Sequence, residues 1–570
     1  MNFSLIILTL CMFAALVVFA KILPHQFVRF KIINRFRWII KSLSPPVPSI
    51  LTVFIFSFAL SAGISYYQKP LPSVPDEFSY LLASDTFSQG RLTNPTHPFW
   101  KHFESFHIFH QPSYASKYPP GQGLFLAVGQ VLTGRPIVGV WLSVALACAA
   151  ICWMLHAWVP PRWALAGGLM SVLHPLLIFW GQNFWGGAVG IIGGALLFGA
   201  LRRLMNHPRA STTLIFGAGL FLLAVSRPFE GFLTAISAAV LLIIWMVRQT
   251  QFSKITLLRS VLIPLGVASL FIMGMLASYN YNLTGSVTRL PYQVHEETYS
   301  PTPLFLWGTP RTELAAYNPH LKKLHYGWAF DIYQRQQDLK GYLNEVSEKT
   351  TRIIGQTIEF PLGILLLMLP WIVKERWGRL AVILVLLISF IEIFAATFFL
   401  AHYLTPIIPL IFFILIQGVR HWRAAGWKSR DQGPLFVMGF CLLFVTVSFL
   451  RIFLQYSNPE STPRHEIALR RTELIEELKT RPKKDLIFVN YSPSHDPHFE
   501  WVYNRADIEN AEVVWAHVLD KKENSKLIEH FANRQIWWIN ADDKQVKLKR
   551  VPRTSQKTKS ASTAATTSDS

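Results

Sequence analysis

PSILTVFIFSFALSAGISYYQKPLPSVPDEFSY, residues 48–80, decides the fold. Its first nineteen residues hold no charged side chain, and that length approaches the ~20 residues a helix needs to cross lipid. Ten residues on, the chain places Asp76 and Glu77 side by side. The same apolar character recurs throughout. Of 570 residues, 51% are hydrophobic and 15% charged, too apolar and too aromatic for an ordinary soluble protein of this length. Apolar runs place membrane spans at 3–20, 48–66, 136–157, 163–180, 185–201, 211–225, 230–247, 256–278, 354–373, 379–400, 402–418 and 434–454. Residues 1–20 lack a basic start and a small-residue cleavage site, so they read as a retained anchor. Cys11, Cys148, Cys152 and Cys441 all lie in apolar runs, which argues against a disulfide framework or a thiolate metal site.

The net charge of +21 invites a nucleic-acid reading, but its distribution points to membrane orientation. Six alternate connections (21–41, 159–162, 202–209, 248–259, 374–379 and 420–431) hold 20 Lys or Arg against two acids, Glu375 and Asp431. The long loops 67–135 and 280–353 hold 13 basic and 11 acidic residues. By the positive-inside rule the six connections are cytoplasmic and the long loops outside. This accounting requires 121–134 to be a helix at the outer interface rather than a full span. The division expected is an anchor span and basic segment (1–47), a transmembrane body (48–455), an outer α/β unit (456–541) and a disordered tail (542–570). The α/β unit follows from helix patterns at 464–479 and 523–532 alternating with strand patterns at 485–491, 512–518 and 534–540, an order that suggests parallel pairing.

With this topology the unusual polar residues fall on one side. Asp76 and Glu77 open the first outer loop. GQNFWGG (181–187) brings Gln182, Asn183 and Trp185 to an outer hairpin, SRPFEG (226–231) brings Arg227 and Glu230, and AHYLTP (401–406) brings His402 and Tyr403. His174 and Glu392 lie in the outer halves of spans, where a charge is costly unless it faces a cavity or a partner. Structural roles compete in each case: a helix N-terminus for the acidic pair, an Arg227–Glu230 pair capping a hairpin, interfacial anchoring for the aromatics. His97, His102, His107 and His110 match no standard zinc spacing. No cofactor is indicated, and a divalent metal remains an open alternative.

PDEFSY, followed by KYPPGQGLFLAVGQ (117–130) and the late HYLTPIIP (402–409), resembles the GT-C superfold of membrane glycosyltransferases. The likeness is to the bacterial branch related to protein O-mannosyltransferases and aminoarabinose transferases, and it covers roughly 48–420. It implies a polytopic α-helical membrane protein of about twelve spans with large outer loops and a small C-terminal α/β unit. It also implies inverting sugar transfer from a polyprenyl-phosphate carrier to an acceptor hydroxyl, on the outer face of the inner (plasma) membrane. By that pattern Asp76 is the general base, with Glu77 orienting it or binding the acceptor. Lys117, Arg227 and His402 are candidates for the leaving phosphate, and Tyr118, Trp185 and Tyr403 for the sugar. The partners implied are the lipid-linked donor, a lipid, glycan or protein acceptor, and membrane lipids, with no nucleic acid. The chain departs from the family pattern in its extra N-terminal span, the two hairpins and the long 280–353 loop. Two other classes remain: a flippase for a lipid-linked glycan, which needs a midplane site between broken helices, and a non-catalytic subunit of envelope assembly.

Overall fold

The computed structural model describes residues 38–311, 318–425, 432–457, 463–543 and 545–551, with isolated positions 11, 14, 15 and 18. The span expected at 3–20, most of the basic segment 21–41 and the tail beyond 551 lie outside the described residues. Among those described, eight helices are long and apolar enough to cross a membrane: Pro46–Gln68, Pro136–Trp158, Ala188–Asn206, Pro228–Arg248, Lys254–Thr284, Arg376–Ala395, His402–Ala424 and Gln432–Tyr456. They match eight of the twelve expected spans. Three others form apolar helices of a different kind. The 163–180 run divides into Pro161–Val172 and Pro175–Trp180, because Pro175 cannot donate to the preceding turn. Ala210–Ala224 has only 15 residues. The 354–373 run joins Leu339–Thr357 to Leu362–Ile372 through a 102° bend, with Pro361 at the break. The helix expected at 121–134 runs Pro120–Thr133 and, at about 21 Å, is too short to span.

The helix His402–Ala424 is the staff of the bundle: 94% of its apolar window is buried, against 11% for Lys254–Thr284, which shows most of its surface to the surroundings. Close approach to that staff depends on small residues, as is usual between membrane helices. A Cβ on Gly194 would lie 1.9 Å from the Pro406 carbonyl oxygen, and one on Gly190 would lie 2.4 Å from Thr405 Oγ1. These two glycines let the Ala188–Asn206 helix seat the segment that carries His402 and Tyr403.

The two ends of the bundle differ chemically. At one end Arg203 lies 3.8 Å from the Trp153 ring, Arg202 lies 4.3 Å from Trp377, and Arg162 and Arg423 flank Trp163. This is a belt of cations on amphipathic aromatics, the composition that suits a membrane interface. At the other end stand the two long loops and the C-terminal unit. There Asp485–Asn490 pairs in parallel with Val513–His517 on one side and Gln535–Asn540 on the other. Its apolar run is buried along almost its whole length, as expected of a central parallel strand. One face packs on Pro463–Lys479 through Leu474 and Leu478. The other packs on Leu527 and also on Leu82, Phe103, Ile108 and Tyr114 of the first outer loop, so that loop forms a layer of the C-terminal unit. The sheet continues past the boundary expected at 541: Lys549–Arg550 pairs antiparallel with Gln535–Asn540.

Candidate active site

The helix Pro75–Ser88 begins with Pro75 at its first position and Asp76 and Glu77 in its first turn, where carboxylates meet the free N–H groups. The two acids are held differently. Glu77 is 2% exposed. Its Oε2 accepts from the N–H groups of Ser73 (2.8 Å) and Val74 (3.2 Å), and its Oε1 accepts from Phe184 N–H at 2.9 Å. Burial raises its pKa while these amides pull against the rise. Glu77 therefore caps its own helix and ties it to the 181–187 hairpin. Three backbone amides occupy the oxygens of this residue, to which the sequence reading gave the task of orienting Asp76 or binding the acceptor.

Asp76 remains partly open, its side chain 24% exposed. Tyr118 O–H donates to Asp76 Oδ1, and His107 Nε2 stands 3.9 Å from Oδ2. Burial and the neighbouring Asp76 push the Tyr118 phenol far above its ordinary range, so it keeps its proton and acts as donor. Its ring stacks on Tyr80 with 4.7 Å between centroids. The following Pro119–Gly121 turn docks on the 226–231 hairpin: Gly121 N–H donates to Val225 O at 2.7 Å, and a Cβ there would come within 2.8 Å of that oxygen.

Lys117 is 4% exposed, and its ammonium donates to Glu296 Oε1 at 2.9 Å and sits 4.7 Å from the Tyr292 ring centroid. Burial alone would raise Glu296, yet Lys117 and His295 hold it well below the usual carboxylate range. The cation expected to face a phosphate is thus paired inside the protein. Arg227 is placed otherwise. One Nη2–H goes to Gly186 O at 2.9 Å, the guanidinium lies 5.5 Å from the Tyr403 ring, and the side chain borders a small cleft together with Tyr80, Gln122 and Ser226. Trp185 and Tyr403 both pack edge-on against the buried His402 ring, each at 4.8 Å.

Gln182 ties the hairpin to the Pro46–Gln68 helix, and Asn183 bonds within its own segment. Gln182 accepts from Ser65 Oγ (2.7 Å) and donates to Ser61 O (3.1 Å). Asn183 donates to Phe179 O (2.8 Å) and accepts from Trp185 N–H (3.0 Å). His174 likewise joins elements, with Nε2 3.2 Å from Thr357 O at the bend. Glu230 is buried in the first turn of its helix. Glu392 is 1% exposed, and neither oxygen has a hydrogen-bond partner among the described residues. Glu230 and Arg227 are the charged groups that act on it electrostatically.

The sequence reading missed the contribution of the second outer loop. Helix Pro291–Tyr299 presents Tyr292, His295, Glu296 and Tyr299. Their i, i+3, i+4 spacing puts them on one face, a signal available in PYQVHEETY. The histidine run disperses. His107 turns to Asp76, while His102 Nε2 lies 3.3 Å from Asn524 Oδ1. His97 and His530 share Glu509 Oε1 at 2.9 and 2.6 Å. These last three are the one group among the described residues with a metal-like spacing. Phe99 N–H, however, donates to His97 Nδ1 at 3.0 Å, which leaves the ring proton on Nε2, the atom a metal would need. They are built as a hydrogen-bonded tie. Asp85, another acid of the first loop, is taken up by Ala506 N–H (2.8 Å), Arg505 (3.0 Å) and Gln130 (3.1 Å).

No family model matches the chain, and no curated protein matches it. Solved structures do. ArnT from Cupriavidus metallidurans in the apo state is 12% identical, with a TM-score of 0.46 over 86% of this chain and 92% of that one. The same protein bound to undecaprenyl phosphate gives the same identity, coverage and score. The Archaeoglobus fulgidus oligosaccharyltransferase is 11% identical, with a TM-score of 0.47 over 86% of this chain and 67% of that one.

Proposed function

We propose that the protein is a membrane glycosyltransferase that moves a sugar from a polyprenyl-phosphate carrier to an acceptor hydroxyl with inversion. The observation that carries this reading is the pairing of a partly open carboxylate, Asp76, oriented by Tyr118, with a cleft that presents Arg227 beside the ends of membrane helices. A carrier's lipid would lie among the apolar helices and its sugar phosphate at their ends. The acceptor oxygen attacks the anomeric carbon as the bond to the phosphate oxygen breaks, and Asp76 takes the acceptor proton. Negative charge then grows on the phosphate, where a guanidinium with free N–H groups is the fitting partner. Incubating the purified protein with a panel of polyprenyl-phosphate sugars, and following free carrier phosphate by mass spectrometry, tests the reading. Acceptor-dependent release from one donor supports it, and no release from any donor sinks it.

Arg227 supplies the second test. Arg227→Lys keeps the charge but loses the planar fork, so donor affinity should fall by roughly tenfold or more while the fold persists. A donor titration on both proteins reads this directly. If Arg227 only holds Gly186, affinity will be unchanged.

We further infer that the site end is extracytoplasmic and that the arginine–tryptophan belt faces the cytoplasm, as the positive-inside rule requires. Arg209 and Glu529 are exposed at opposite ends. In intact cells a membrane-impermeant thiol reagent should label Glu529→Cys and spare Arg209→Cys; the reverse pattern would invert the assignment.

A further inference from the structure

His107 lies in the left-handed backbone region, with φ +63°. A bulky L residue held there is unusual and marks a constraint set by its surroundings. The constraint is visible. The His107 carbonyl accepts from Ser79 Oγ at 2.6 Å and from Lys117 N–H at 3.1 Å. The helix that carries Asp76 and the segment that leads to Tyr118 thus clamp the same peptide. Clamped in this way, the ring lies 5.7 Å from the Tyr118 ring and 6.3 Å from His295, with Nε2 3.9 Å from Asp76 Oδ2. Nδ1 is buried and has no hydrogen-bond partner among the described residues.

We propose that His107 is a positioning residue for Asp76, its Nε2–H donating to Oδ2 so that His107 and Tyr118 fix the carboxylate plane between them. This rests on the glycosyl-transfer reading of the site. An unpaired buried N–H is the rarer and costlier orphan, which places the ring proton on Nε2 and leaves a bare lone pair at Nδ1. Burial, and then the facing Lys117, His295 and His325, hold the imidazole well below its ordinary pKa, with Glu296 opposing, so the ring carries a single proton. At 3.9 Å the contact is longer than a hydrogen bond, as catalytic contacts often are before substrate closes the site. In the transfer step the acceptor oxygen bonds to the anomeric carbon, and the bond from that carbon to the phosphate oxygen breaks with its electron pair going to phosphate. The acceptor proton passes to the Asp76 carboxylate, and His107 makes and breaks no covalent bond.

Two variants of similar size separate this role from packing. His107→Leu and His107→Gln both carry the cost of φ +63°, but only Gln offers an N–H near the position of Nε2. The Leu variant should lower kcat by roughly ten- to a hundredfold, the loss of one hydrogen bond to a charged group. Donor KM should hold, a split of kcat from KM that lost packing alone would not give, and the Gln variant should recover most of kcat. Should the strain prevent either from folding, His107→Asn replaces them: asparagine accepts the left-handed region, is too short to reach Asp76, and should match the Leu expectation. Identical kcat in the Leu and Gln variants, or wild-type kcat in the Leu or Asn variant, overturns the assignment. An Asp76→Asn control run in parallel shows where a failure lies. If it is inactive, the failure is His107's alone; if it transfers normally, the base assignment falls and this role with it.

Discussion

Asp76→Asn should lower sugar transfer by roughly 10²–10⁴-fold, the range expected when a general base becomes an amide of nearly the same shape. The geometry makes this a clean substitution. Among the described residues Asp76 Oδ1 accepts from the Tyr118 hydroxyl alone, a bond that an amide oxygen can also accept. Its side chain is 24% exposed, so no buried charge is left behind. The capping of helix Pro75–Ser88 stays with Glu77. Thermal stability and donor binding should therefore hold while the chemistry collapses, a combination that neither a flippase nor a scaffold would show. Transfer assays paired with a donor titration check it. Near wild-type transfer would remove Asp76 from the role of base, and since Glu77 and Asp85 are both engaged by backbone amides, the proposed reaction would lose its proton acceptor.

The second large effect is on stability. Lys117→Met should cost about 3–5 kcal/mol, because it leaves the Glu296 carboxylate buried without its cation. Adding Glu296→Gln should return much of that loss, since the cost lies mostly in the stranded charge. Denaturant titration of the purified proteins in detergent measures both. The pH dependence has a definite sign. Glu296 is held below its unfolded pKa, so the stability it contributes is complete above the unfolded carboxylate range, near pH 4.3, and is lost as pH falls through the depressed folded value. The gap between wild type and the Lys117 variant should therefore narrow on acidification. A gap that widens, or a double variant no better than the single one, would show that Lys117 acts otherwise.

Residues 48–80 made the membrane body legible because apolar length and loop charge are one-dimensional signals. Eight spans follow from them directly. Failures of the same reading occur where backbone chemistry interrupts an apolar run, at Pro175 and Pro361. The strands of the C-terminal unit were legible from their alternation with helical patterns, but their packing on the first outer loop was not, since nothing in Leu82 or Phe103 names a partner hundreds of residues away. The candidate site was half visible. Motifs flagged Asp76, Tyr118 and Arg227, residues whose side chains face open space or one another. The same motifs could not tell that Glu77, Gln182 and Asn183 would turn to backbone groups. Lys117 shows why: its partner Glu296 comes from a loop 179 positions away, and only the fold decides whether such a lysine meets a ligand or a carboxylate.

The contact between the first loop and the C-terminal unit bears on when the protein becomes competent. Phe78, two residues from Asp76, stacks flat on Tyr503 at 4.1 Å, and Asp85 on the same helix meets Arg505 from 420 positions downstream. A ribosome makes the Asp76 helix about four hundred residues before the strands that back it. Through that interval the helix has one side uncovered, and this support arrives only after the last described membrane helix is in place and the segment behind it has reached the same end of the bundle. Completion of the loop that carries Asp76 thus waits on a distant part of the chain, so a chain halted before Asp485 would hold every motif of the candidate site without the wall that sets them.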